Sequence, residues 1–151
     1  MKKSIYLYNE NYSKIKFEYE NILDLNQELE KRKIIIGIGA SIGLGAIIGI
    51  DASIGNGASI GSDASIGLGA SIGGHAIIGE RVELQKNFYI VGSKHSITYT
   101  GNYTLSIGCH NYTIDKWLER FKIIGEKENY SETEINEYKQ YILMAKEFSK
   151  I

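Results

Sequence analysis

The chain contains no proline, a single cysteine and no excess of either charge. One cysteine excludes an internal disulfide and a cysteine-rich zinc site, and it suits a reducing compartment. Lys and Arg number 17 against 18 Asp and Glu, a formal net charge of -1. No global basic field draws such a protein onto DNA, RNA or anionic lipid, so neither a nucleic-acid polymer nor a membrane is an expected partner. The N-terminus carries two lysines but no apolar run, so no secretory signal is expected and the expected location is the cytoplasm. At 151 residues there is room for one domain, or one small domain with appendages.

Glycine, by contrast, is abundant and unevenly spread. Of 17 glycines, 13 fall between Ile34 and Gly79, a stretch of 46 residues without Lys or Arg. Ile36, Ile42, Ile48, Ile54, Ile60, Ile66, Ile72 and Ile78 recur every six positions, each followed by glycine. Four places after each comes Ala40, Ala46, Ala52, Ala58, Ala64, Ala70 or Ala76, then Val82, and the sixth position is mostly serine. On an α-helix six residues turn through about 600°, which scatters the isoleucines over three faces. Thirteen glycines would also cost such a helix on the order of 13 kcal/mol. A membrane span fits no better, because the run is about twice the roughly 20 residues required and is interrupted by Asp51, Asn56 and Asp63. A strand does fit: six is even, so the same face turns inward at every repeat, and glycine tolerates tight corners.

Ile-Gly-x-x-Ala-Ser repeated eight times, from Ile36 to Glu83, resembles the hexapeptide-repeat left-handed parallel β-helix family. The expected fold is therefore mainly β: about two and two-thirds coils of left-handed β-helix, with an N-terminal helix, a C-terminal β cap and an α-helical hairpin. The resemblance implies a homotrimer or higher assembly. It also implies acyl transfer from acetyl-CoA or acyl carrier protein with a histidine as general base, for which His75 is the one histidine of the repeat. The fourth hexad position of His75 equally suits a corner residue, as it does Asp51 and Asp63. No loop is extruded to shape an acceptor pocket, so the enzymatic reading, with acetyl-CoA as cofactor, is the alternative; the first reading needs no cofactor.

The third and sixth hexad positions point outward, and Ile38, Leu44, Ile47, Ile50, Leu68 and Ile77 occupy several of them. Outward aliphatic residues, with Ile50 and Leu68 eighteen apart, imply a cover, either the N-terminal helix or another subunit. Four segments follow: 1–33, a strand near Lys3–Tyr8 and a helix over Lys16–Lys31; 34–84, the repeat; 85–112, a small antiparallel cap of three strands whose backbone closes the last coil; and 113–151, a helical hairpin. Thr113 and the Ser131/Glu134 capping box start its two helices, and Asn129 suits a left-handed turn between them.

The run from Ser106 to Phe121 with Ile124–Glu132 resembles the C-terminal module of uncharacterised phage and prophage proteins. That resemblance implies a viral accessory product in the host cytoplasm, with no established chemistry. Tyr103, Tyr112 and Trp117 offer stacking surface, while His110, Lys116 and Arg120 offer anion contacts, a combination suited to a nucleotide or other phosphorylated ligand. Trp117 also reads simply as core. His95, Cys109 and His110 have no metal-ligand spacing, so no metal is expected, and Cys109 reads as a small buried thiol. The leading expectation is a non-enzymatic oligomer that binds a small ligand or host protein at intersubunit clefts, countering host defence by sequestration. A structural virion or scaffold trimer is a further alternative.

Overall fold

The computed structural model covers residues 1–151, and its architecture is mainly β with a helical N-terminal insert and two C-terminal helices. From Ile34 the chain lays down nine short strands at hexad spacing: β3 (Ile35–Ile36), β4 (Ser41–Ile42), β5 (Ala46–Ile48), β6 (Ser53–Ile54), β7 (Ser59–Ile60), β8 (Ser65–Ile66), β9 (Ser71–Ile72), β10 (Ile77–Ile78) and β11 (Glu83–Leu84). β3 to β8 each pair in parallel with the strand three further on. Ile36, Ile54 and Ile72 align in one sheet, Ile42, Ile60 and Ile78 in a second, and Ile48, Ile66 and Leu84 in a third. Three strands thus make one turn of a three-walled coil. Its interior is a stack of these side chains with Ala46, Ala52, Ala58, Ala64, Ala70 and Ala76. The fourth hexad position makes every corner: Gly39, Gly45, Asp51, Gly57, Asp63, Gly69, His75 and Arg81 all take φ between 55° and 75°.

The N-terminus departs from the sequence expectation. β1 is Lys3–Tyr8 as expected, but Lys16–Lys31 is not one helix. It divides into the end of β2 (Lys14–Tyr19), a 3-10 turn (Ile22–Leu25) and a short α1 (Asn26–Lys31). Ile15, Phe17 and Tyr19 alternate as a strand requires, and β1 offers six residues of antiparallel pairing, which outweighs weak helical spacing. β1 in turn lies parallel to β5, with Ile5 opposite Ala46 and Leu7 opposite Ile48, so the hairpin extends one wall of the coil downward. Leu25 and Leu29 join Ile5, Ile34 and Ile42 in the interior cluster. The N-terminal helix therefore plugs the lower end of the coil and does not lie over its outer walls.

That leaves outward aliphatic residues bare, and they are not arranged as a vertical ladder. Ile35, Ile38 and Leu44 of the lowest coil are 63%, 88% and 59% exposed, with Leu68 and Ile77 higher up at 54% and 45%. Ile47 and Ile50 are half-buried, Ile47 next to Tyr6 of β1 in the sheet. The equivalent outward places of the second coil are mainly polar (Ser53, Asn56, Ser59, Ser62, Ser65). The apolar belt is thus concentrated low on the coil, where β3 and β4 are edge strands of their sheets.

At the upper end four antiparallel strands follow, one more than expected: β12 (Tyr89–Val91), β13 (Ser96–Gly101), β14 (Thr104–Ile107) and β15 (His110–Thr113). Side chains, not backbone, close the last coil. Asn87 accepts from the Ser71 N–H at 2.9 Å and donates to its carbonyl at 3.0 Å, and the Thr98 hydroxyl accepts from the Gly73 N–H at 2.7 Å. A side chain can satisfy an edge without offering a new edge for pairing. The hairpin of α2 (Ile114–Lys127) and α3 (Glu132–Phe148) covers the other face of this sheet. Thr113 caps α2, Ser131 and Glu134 form the capping box of α3, and Asn129 has φ 58°. Ile135, Tyr138, Ile142 and Ala145 are buried, and all but Ile135 join Ile97, Leu105, Ile114 and Trp117 in a second core. No helix is long and apolar enough to cross a membrane.

Candidate functional site

The predicted ligand residues meet only in part, where β15 runs into α2. Trp117 sits one turn into α2, almost wholly buried, and its indole N–H donates to the Leu105 carbonyl of β14 at 2.7 Å. It anchors the second core and offers no free face for stacking. Tyr112 meets it edge-on with ring centres 5.3 Å apart, and His110 stacks on Tyr112 at 6.1 Å. The Lys116 ammonium lies 4.4 Å above the Tyr112 ring, a favourable cation–π position. Arg120, one turn beyond Lys116 on α2, is exposed and makes no ion pair within the chain. Tyr103 stands apart from this strip. Its hydroxyl donates to Asp115 at 3.0 Å, and Asp115 also faces Lys146 at 3.7 Å. Tyr112, Lys116 and Arg120 therefore form an aromatic and basic strip, with Trp117 beneath it.

A second arrangement was invisible in the sequence. A cavity of about 40 Å³ opens between the β14–β15 turn and the two helices, walled by Ile107, Trp117, Phe121, Ile124, Ile135 and Ile142. Its rim carries His95, Cys109, His110, Glu128 and Tyr130. Cys109 is exposed, not buried as expected, because it occupies the turn that lets Ile107 pair with His110. His95 stacks on Tyr130 with ring centres 5.7 Å apart, and its Nδ1 is hydrogen-bonded to the Tyr130 hydroxyl. Burial, and then the neighbouring Tyr138 phenol, push Tyr130 well above the usual tyrosine range, so it stays protonated. Tyr138 accepts from the Lys94 N–H at 3.0 Å and donates to the His95 carbonyl at 2.7 Å, fixing the loop before β13. At about 40 Å³ the cavity is too small for a nucleotide, since an apolar cavity of about 150 Å³ is what takes up benzene. No three His, Cys, Asp or Glu side chains gather closely enough to hold a metal ion.

One rim contact titrates. His110 Nε2 lies 3.0 Å from Glu128 Oε1, and this hydrogen bond holds the Glu128 carboxyl below the usual range. A depressed folded-state pKa means that its stabilisation is present above the unfolded carboxylate pKa and is lost as pH falls through the folded value. Titration of Glu128 by carbon NMR is expected to give a midpoint below that of free glutamate, and His110→Ala to return it upward. An unchanged midpoint in that variant would contradict the pairing.

His75 sits away from the C-terminal strip, on the coil. It is exposed, has φ 59°, and donates its N–H to the Asn56 carbonyl at 2.9 Å, as the corner residues Gly57, Asp63, Gly69 and Arg81 do to carbonyls of the coil below. Gly57 lies directly below it: a Cβ there would meet the His75 ring at 2.7 Å. Turn geometry alone accounts for the position. Compared with family models, curated proteins and solved structures, the chain matches none.

Proposed function

We propose that the coil is a left-handed β-helix of the hexapeptide type, and that the protein is a self-associating, non-enzymatic binding protein. In this reading the coil is the assembly shaft, built as a trimer or a multiple of it. The C-terminal module is carried on it as the ligand-facing part. One observation carries the reading: the lowest coil turns Ile35, Ile38 and Leu44 to water although the coil accepts Ser, Asn and Gly at the same positions. Aliphatic side chains exposed together around one coil in this way support association. For the ligand, the strip of Tyr112, Lys116 and Arg120 supports a small phosphorylated molecule, nucleotides included, held on the surface or at a seam between subunits. The phage-type resemblance of the C-terminal segment makes the host cytoplasm the proposed place of action and sequestration of a host ligand the proposed role.

Acyl transfer from acetyl-CoA is the competing reading, favoured by the exposure of His75 on the coil. The two separate on one variant. His75→Gly relieves a left-handed non-glycine residue, a strain of about 1–2 kcal/mol, at an entropic cost of about 0.5–1 kcal/mol, so its stability is expected to be unchanged or slightly higher. Native mass spectrometry and calorimetry with a nucleotide panel are expected to show a multiple of three subunits and ligand uptake that this variant leaves intact. A monomer at micromolar concentration overturns the proposal. Turnover of acetyl-CoA that disappears in His75→Gly replaces it with the enzyme reading.

A further inference from the structure

A wider concavity lies against the N-terminal hairpin, far in sequence from the strip discussed above. It encloses about 570 Å³ between the β1–β2 turn, the end of α1 and the coil, within the roughly 300–1,000 Å³ typical of small-molecule sites. Its chemistry centres on Arg32, whose side chain is nine-tenths buried. The guanidinium is held from three sides. Nε donates to the Tyr8 carbonyl at 2.6 Å, Nη1 donates to the Glu28 carbonyl at 2.7 Å and to its carboxylate at 2.6 Å, and the Phe17 ring lies 5.2 Å from Cζ. Nη2 makes no hydrogen bond within the chain, although no fully buried polar side-chain atom lacks a partner. That nitrogen therefore keeps some access to solvent, Arg32 is among the residues lining the opening, and the bonds made by the rest of the group fix the guanidinium plane. An oriented, half-desolvated guanidinium is what recognises a carboxylate.

Three further features fit. Asn9 uses Oδ1 to accept from the Asn11 and Ser13 N–H groups at 3.0 and 2.8 Å, which leaves its amide NH2 free on the rim as a second donor. The apolar part is Tyr8 and Phe17 with Ile50. Ile50 occupies the third hexad position, where the coil elsewhere carries Ile38, Leu44 and Leu68 as well as Asn56, Ser62, Gly74 and Glu80. Coil geometry therefore admits either kind of residue there, and Ile50 gives this opening an apolar wall. Charge sets the limit: Glu10 and Glu28 offset Lys31 and Arg32 around the opening, so no net positive field favours a polyphosphate.

We propose that this cleft binds an amphipathic monocarboxylate with a flat apolar body, the carboxylate on Arg32 Nη2 and Asn9, the body between Phe17, Tyr8 and Ile50. The proposal rests on reading the chain as a binding protein and is independent of its self-association. The test is amide and guanidinium NMR of the full chain titrated with 2-naphthoate and with its neutral counterpart 2-naphthamide. Expected are saturable shifts of the Arg32 Nε–H and Asn9 side-chain signals with naphthoate and at least tenfold weaker binding of naphthamide. Ile50→Glu, at a position where the coil already takes glutamate, is expected to keep the folded spectrum and weaken naphthoate at least tenfold. Equal affinity for the two probes, or unchanged naphthoate binding in Ile50→Glu, overturns the site. Shifts confined to Tyr112, Lys116 and Trp117, or no shifts anywhere at millimolar probe, overturn this site and leave the binding reading to the nucleotide panel.

Discussion

Under the proposed self-association, replacing Ile38 and Leu44 together by lysine is expected to convert the assembly into a folded monomer. Both side chains stand mostly in water in the isolated chain, so the coil loses almost nothing when they change. An interface that covers them loses two aliphatic anchors. Full burial of each is worth about 1.5–3 kcal/mol, so the pair contributes roughly 3 kcal/mol or more per contact, a weakening of about a hundredfold. Two ammonium groups in the same place add a desolvation cost on top. Sedimentation velocity reads the outcome. The double variant is expected to run as a single 16.9 kDa species with the circular dichroism of the parent. An unchanged sedimentation coefficient would place the interface elsewhere, and a loss of the folded spectrum would mean that the two residues serve the coil itself.

Gly61→Ala is expected to be among the most damaging single methyl additions in the chain, and Gly79→Ala among the least, although both glycines follow a core isoleucine. At Gly61 a Cβ would stand 2.5 Å from the Glu80 nitrogen and the Gly79 carbonyl carbon, both backbone atoms of the coil above. Backbone cannot step aside as a side chain can, so two turns of the coil would have to separate. Overpacking of this kind costs about 1–3 kcal/mol or more, a large share of the roughly 5–15 kcal/mol that holds a domain folded. At Gly79 no coil lies above, and the nearest atom is Val82 Cγ2 at 3.5 Å, an ordinary contact. Alanine there also restricts the unfolded chain, so a change between zero and a gain of about 1 kcal/mol is expected. Urea denaturation of the two variants side by side measures the contrast. Equal losses would show that glycine is needed for something other than the approach of successive coils.

The contrast also explains what the sequence made legible. A strict six-residue period admits one regular solution, because an even period keeps Ile54, Ile72 and their equivalents inward and places the glycine after each where the next coil passes. The helix caps at Thr113 and Ser131 and the turn at Asn129 were legible because each rests on a bond or torsion local to a few residues. The Lys14–Tyr19 strand was not, since its stability comes from β1, itself held by β5, whose paired residues lie 41 positions further along the chain. β15 is a different case: His110–Thr113 pairs with β14 in a local hairpin across Gly108 and Cys109, and the polar run His110–Asn111 carries no alternation of its own to mark a strand.

The sites divide along the same line. Tyr112, Lys116 and Arg120 share a surface because their spacing follows the entry into α2. Tyr103 does not join them, because its hydroxyl is drawn to Asp115. His95 and Tyr130 meet across 35 residues with no local pattern to announce them. Arg32 ends a short helix and would pass for a surface cation. Only the fold brings the Tyr8 carbonyl and the Phe17 ring around it.

Through-hydrogen-bond coupling between amide nitrogen and carbonyl carbon, measured on uniformly labelled protein, addresses the coil directly. Couplings are predicted from the Ser53 nitrogen to the Ala70 carbonyl and from the Ser59 nitrogen to the Ala76 carbonyl, where the N–H···O distances are 2.8 and 2.9 Å. Couplings from these amides to carbonyls four residues earlier, or to the neighbouring hexad, would contradict the three-walled coil.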